Sequence, residues 1–167
     1  SIIYALFGNL FFVTMLNLKL SIISGALTLA IMVLPIIIRT TEEALISVPN
    51  YYREASFGLG AGKFRTITKV VLPSAINGIM SGIVLSIGRI VGETAALIFT
   101  AGTVAQIGGL FNSGRTLSVH LYALWNEGLS IDKAYATAVI ILIIVIILKT
   151  IVRKQLIIEI NPVQQTQ

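Results

Sequence analysis

Of 167 residues, 56% are hydrophobic and only 11% are charged, with twelve Lys and Arg against seven Asp and Glu for a net charge of +5. A mean hydropathy of +0.93 excludes an ordinary soluble domain, and the lack of cysteine excludes a disulfide framework or a thiolate metal site. The basic residues are dispersed with no stacking aromatics among them, which excludes nucleic-acid binding as the reason for the charge.

Residues 2–17 are apolar and start abruptly at Ser1, with neither an initiator Met nor the basic n-region of a signal peptide, so the chain is expected to begin inside a span. Residues 20–38 hold no charge over nineteen positions. At about 1.5 Å per residue that run crosses a hydrocarbon core of about 30 Å and predicts a transmembrane helix. A third span is expected over residues 74–102, with Arg89 and Glu93 its only charges. The fourth, residues 134–148, is an Ile/Val/Leu run bracketed by Lys133 and Lys149, whose long stems can snorkel to the two interfaces. A bilayer leaves open backbone groups without partners, and the two-residue alternation of a barrel strand is missing, so an all-α integral membrane protein is predicted.

Basic residues set the orientation. Residues 39–69 hold Arg39, Arg53, Lys63, Arg65 and Lys69, and the tail holds Lys149, Arg153 and Lys154, whereas the opposite loops offer only Lys19, Arg115 and Lys133. The central loop and the C-terminus are therefore expected in the cytoplasm, facing an anionic inner leaflet. Residues 155–167 turn polar and are expected as a frayed tail.

The central loop is the long polar interruption between spans. Pro49 ends the preceding segment, Asn50 is placed to cap the next helix, and Gly60 tolerates a positive φ at its end, which predicts a short helix over 51–59. A second short helix over 63–70 is expected before Pro73 opens the membrane span. The product is a helical elbow between two spans; its composition alone would equally suit an amphipathic loop lying on lipid headgroups. Within it, Gly58-Leu59-Gly60-Ala61-Gly62-Lys63 imitates a phosphate-binding loop, but Phe57 and Phe64 stand where a Walker A pattern needs Gly and Ser or Thr, so this chain is not expected to hydrolyse ATP.

The spacing of Glu54-Ala55-Ser56, Gly60 and Val70-Val71-Leu72-Pro73 resembles the cytoplasmic loop of ABC-importer permeases, with Ser56 and Val70 as conservative departures. That resemblance implies that Glu54, Ala55, Ser56, Gly60, Leu72 and Pro73 form a coupling loop docking on a separate ATPase, with Ala55 and Gly60 small enough for close backbone approach.

Arg89 and Glu93 are one turn apart on a continuous helix, so their side chains are expected on one face. The face continues through Gly78, Gly82, Leu85, Ala96 and Thr100, small or polar but for Leu85. An ionisable residue in a span faces protein or water, which points this stripe to a bundle interior or a pore; the plainer reading is an internal ion pair with glycines that permit tight packing. Counted from Pro73, Arg89 lies about 24 Å along the helix. Lone His120, near Tyr122 and Trp125, reads as interfacial rather than as a metal ligand.

Arg39-Thr40-Thr41-Glu42-Glu43-Ala44-Leu45 with Val48-Pro49, and Gly88-Arg89-Ile90-Val91-Gly92-Glu93-Thr94-Ala95, resemble the PstA permeases of bacterial phosphate-specific ABC importers over residues 1–154. The resemblance implies a MetI-like permease bundle in the bacterial inner membrane, with four of six spans present and the first two missing. It implies a translocation pathway for inorganic phosphate containing Arg89 and Glu93: a guanidinium fork holds two oxygens, and a neighbouring carboxylate reclaims it for release. The implied partners are a PstC-like permease subunit, a PstB-like ATPase dimer carrying ATP and magnesium, a PstS-like extracytoplasmic phosphate-binding protein and membrane lipid, with no cofactor on this chain. The alternatives are a permease for another oxyanion, molybdate or sulfate, and a non-transporting membrane scaffold or signalling subunit.

Overall fold

All four apolar runs fold as helix. The computed structural model describes residues 1–105, 109–128 and 130–164, and no strand occurs among them. Helix α1 (Ile2–Gly8) runs directly into a π-helical stretch (Asn9–Met15). It is followed by α2 (Ile22–Ile46), the short α3 (Asn50–Gly58) and α4 (Lys63–Thr66). A π-helical turn (Ile67–Val71) leads into α5 (Leu72–Val91), then come α6 (Ala95–Thr100), α7 (Leu117–Asn126) and α8 (Ile131–Gln164). Among the described residues, three helical stretches are long and apolar enough to cross a membrane, Ile22–Ile46, Lys63–Val91 and Ile131–Ile151, while Ile2–Met15 is a shorter apolar helix. The expected four spans are thus three of spanning length and one shorter.

The third span departs most from expectation. It starts at Lys63 rather than after Pro73 and ends at Val91 rather than at residue 102. Pro73 does not open the helix because the wide turn before it, where the Leu72 N–H reaches the Ile67 carbonyl, loosens the backbone against which a proline ring would press. Of the expected frayed tail, residues 155–164 continue α8, with neither Gly nor Pro from Gln155 to Ile160 to stop it, and residues 165–167 lie outside the described residues.

The chain divides into two compact units, residues 1–34 with 87–150 and residues 35–86 with 151–167. In the first, α1 packs on α6, and Gly8 and Gly25 let Thr28, Leu97 and Ala101 come close enough that a Cβ at either glycine would clash. Lipid tails are as apolar as Leu, so tight van der Waals approach of this kind is what binds helices in a membrane. Buried polar groups link α6 to the start of α2: the Thr100 carbonyl accepts from the Ser21 N–H at 3.1 Å and from Ser24 Oγ at 3.1 Å. A free carbonyl at the end of α6 would otherwise be costly.

In the second unit, Ala44, Val48, Val71 and Ala75 form a small core with Leu45 and Ile79 against it. Gly78 sits on Ala44 and Gly82 on Thr40. These two glycines, read from the sequence as part of a pore-facing stripe or as packing residues, serve packing in this unit.

Candidate functional site

The elbow is built from its polar contacts. Arg53, on α3, donates to the carbonyls of Leu45 at 2.8 Å and Val48 at 3.2 Å and to Asn50 Oδ1 at 2.8 Å. Asn50 therefore does not cap α3 as expected. Its side chain accepts from Arg53 instead, and Pro49 occupies the cap position. At the other end the chain turns through Gly60 at φ +78°, the conformation expected there. The Ala61 N–H closes this turn on the Ser56 carbonyl at 3.1 Å.

One of the expected docking residues turns inward. Ser56 is buried and shares a 2.9 Å hydroxyl contact with buried Thr66, so it joins α3 to α4 rather than facing a partner. Glu54, Ala55, Gly60, Leu72 and Pro73 are exposed. Beside them stand large apolar groups that the spacing pattern passed over: Leu59 at 89% exposure, Phe64 at 80% and Phe57 at 48%. Exposed apolar side chains within an otherwise charged loop were the available signal. The Tyr51 and Tyr52 rings lie 4.3 Å apart at a 31° tilt, and the Tyr51 phenol is pushed above its ordinary pKa by its hydrogen bond with Tyr52, then by desolvation and by the Tyr52 charge.

The second candidate lies where α5 stops. Gly92, Glu93 and Thr94 separate α5 from α6, so Arg89 and Glu93 are not on one continuous helix face. Among the described residues they form no ion pair. Arg89 is exposed in the last turn of α5, whereas Glu93 is 8% exposed and its Oε1 accepts from the Ala96 N–H at 3.2 Å. That contact satisfies one of the free donors at the start of α6 and places a carboxylate at a helix N-terminus, both favourable. Ser118 of α7 donates to the Glu93 carbonyl at 2.8 Å, fixing the break from the other side. Gly92 followed by Glu93 and Thr94 is the stop and restart signal in the sequence for this break.

Near this break a cavity of about 390 Å³ is lined by Ile22, Leu29, Ile90, Leu97, Arg115 and Ser118 among others, and Arg115 Nε is buried without a partner among the described residues. Arg115, by its sequence a loop charge, is thus partly buried against this cavity. Among the described residues no group of three or more His, Asp or Glu is placed to hold a metal ion.

Comparison with known proteins agrees with this architecture. The chain is 38% identical over 146 residues to the probable ABC transporter permease protein YqgI of Bacillus subtilis, covering 79% of this chain and 50% of that protein. It is 35% identical over 159 residues to a phosphate transport system permease protein PstA homolog of Mycoplasma pneumoniae, covering 89% of this chain and 24% of that one. With the phosphate transport system permease protein PstA of Xylella fastidiosa it shares 46% identity over 101 residues, 60% of this chain and 35% of that protein. The chain thus spans half or less of the length of these relatives. No solved structure gives a significant match. Its residues 1–156 match the binding-protein-dependent transport system inner membrane component family, and the chain, a multi-pass helical membrane protein, belongs to that family.

Proposed function

We propose that this chain is part of a permease subunit of an ATP-driven importer of inorganic phosphate. The observation that carries the reading is the elbow: α3 is tied to the end of α2 through Arg53 and to α4 through Ser56, yet its outer face offers Glu54, Phe57 and Leu59 to a partner. A rigid hinge with an apolar, partly acidic outer face, set between two membrane-crossing helices, suits a transmitter of movement. Relatives named as phosphate transport permeases supply the substrate class.

In this reading the elbow and C-terminus are cytoplasmic, and Glu54, Ala55 and Gly60 dock on a separate ATPase that carries ATP and magnesium. A homologous permease completes the pathway and an extracytoplasmic binding protein delivers phosphate. Arg89, exposed and outside any ion pair among the described residues, is the phosphate contact. Glu93 holds the break that bears it and is the neighbouring carboxylate. The test is uptake by the full-length complex in proteoliposomes, with molybdate and sulfate as competitors. Phosphate uptake that depends on ATP and resists both competitors is expected; competition by molybdate or sulfate at equal concentration assigns another oxyanion, and ATP hydrolysis indifferent to loaded binding protein assigns a scaffold.

A further inference from the structure

We infer that Arg53 is the positioning residue of the coupling elbow: it fastens α3 to the last turn of α2, so that a displacement of α3 becomes a displacement of α2. The end of a helix leaves its final carbonyls without partners. In α2 the Glu43 carbonyl receives the Ser47 N–H at 3.0 Å and the Ala44 carbonyl receives Ser47 Oγ at 2.8 Å, which leaves Leu45 to Arg53 Nη2 at 2.8 Å. Arg53 Nη1 then bridges the Val48 carbonyl and Asn50 Oδ1. One guanidinium thus closes α2, spans the turn at Pro49 and holds the first turn of α3. A cation at a helix C-terminus is favoured by the helix dipole as well.

The chemistry needs arginine. The contacts diverge from one planar fork, and an ammonium on a flexible stem reaches one carbonyl but not three acceptors at fixed angles. Arg53 is half-buried with its donors turned to its own chain, whereas Glu54 beside it is exposed. The two neighbours thus divide the work, Glu54 toward a partner and Arg53 toward the helix that must move. Without the clamp α3 would still present its outer face, but it would swing about Pro49 instead of carrying α2.

This rests on the reading of α3 as the ATPase-docking helix, and the experiment separates the two. The full-length importer is reconstituted with its ATPase and binding protein, carrying Arg53→Ala, Arg53→Lys or Asn50→Ala, with spin labels at Ile38 of α2 and Tyr51 of α3, both exposed and outside the docking residues. Arg53→Ala removes all three hydrogen bonds of the guanidinium and is expected to keep the ATPase bound while phosphate moved per ATP falls by about tenfold or more, tenfold being the factor for a single charge-assisted bond. The label distance distribution should broaden in the same variant, with Arg53→Lys and Asn50→Ala intermediate in both readouts. Wild-type transport per ATP in Arg53→Ala overturns the inference. So does loss of ATPase binding with an unchanged distance distribution, which would make Arg53 a docking contact. If Arg53→Ala does not accumulate, unchanged distances and unchanged transport per ATP in both milder variants overturn it equally. Failure of the docking reading is recognised with Arg53 and Glu54 both intact, where a photocrosslinker at exposed Tyr52 of α3 would not capture the ATPase.

Discussion

The Ser56 and Thr66 hydroxyls meet at 2.9 Å inside the elbow, and neither faces solvent. This contact joins the two short helices across ten residues of chain, and it buries Ser56 while its neighbours Glu54 and Ala55 stay exposed. Ser56→Ala should leave the Thr66 hydroxyl buried without its partner and destabilise the elbow by about 1–2 kcal/mol. Removing both hydroxyls with Ser56→Ala and Thr66→Val should recover most of that, because an apolar pair of similar shape leaves nothing unsatisfied. Hydrogen exchange of the α3 amides in the assembled complex reads the difference; equal rates in all three proteins would show that the contact contributes nothing.

Gly60 has open space where a side chain would go, but its φ of +78° penalises any Cβ. Gly60→Ala should loosen the elbow by about 1 kcal/mol and Gly60→Asn by less, since asparagine tolerates the left-handed region. Gly58 also has open space and no positive φ. Gly58→Leu should therefore keep the elbow ordered and weaken only association with the ATPase. Exchange rates and co-purification, measured side by side, separate backbone strain from docking; identical behaviour of the two sites would remove φ as the reason for glycine at 60.

How much of this was legible in the sequence depends on range. The short helix expected over 51–59 appears as Asn50–Gly58, and the positive φ appears at Gly60, because proline, glycine and local spacing act within one turn. The inward turn of Ser56 was not legible, since its partner lies on the next helix. Asn50 was misread for a related reason: as a capping type at the right place it competes for the helix N–H groups, but the Arg53 guanidinium one turn later is the stronger donor. The Arg89 and Glu93 stripe failed at its premise, an unbroken helix. Gly92 and the Glu93 contact to Ala96 rotate everything after the break off the earlier face.

The close approach of Gly82 to Thr40 makes a packing prediction. Gly82→Ala puts a methyl group into the Thr40 side chain and should destabilise the pair of helices by about 1–3 kcal/mol, the usual penalty of overpacking. Thr40→Ala in the same protein removes Oγ1 and Cγ2 from the clash and should restore part of the loss. Membrane abundance and the temperature of aggregation in detergent report both steps, and an unaffected Gly82→Ala would mean that α2 and α5 do not pack here in the assembled protein.

Orientation follows from the charge bias and is checked by labelling. A cysteine at exposed Lys63 should react with an impermeant maleimide only from the cytoplasmic side, and one at exposed Asn112 only from outside. Residues 1–167 contain no cysteine, so within them only the introduced thiol reacts. Reaction from the opposite sides would reverse the topology and with it the assignment of the elbow to an ATPase.

Arg89 and Glu93 now make different predictions, because one is exposed and the other is a buried helix cap. Arg89→Lys keeps the charge but loses the planar two-point donor, so phosphate uptake should drop by about tenfold or more while insertion and assembly stay normal. Glu93→Gln keeps an oxygen for the Ala96 N–H and should assemble, whereas Glu93→Leu leaves that donor unpaired and should reduce abundance. Exchanging the two residues, Arg89→Glu with Glu93→Arg, puts a donor-only guanidinium where the start of α6 needs an acceptor, so the exchange should fail to assemble instead of restoring function. Uptake near wild type in Arg89→Lys at matched abundance would sink the phosphate contact. A functional exchange variant would show that the two side chains do pair in the working transporter, and that the break between α5 and α6 closes during its cycle.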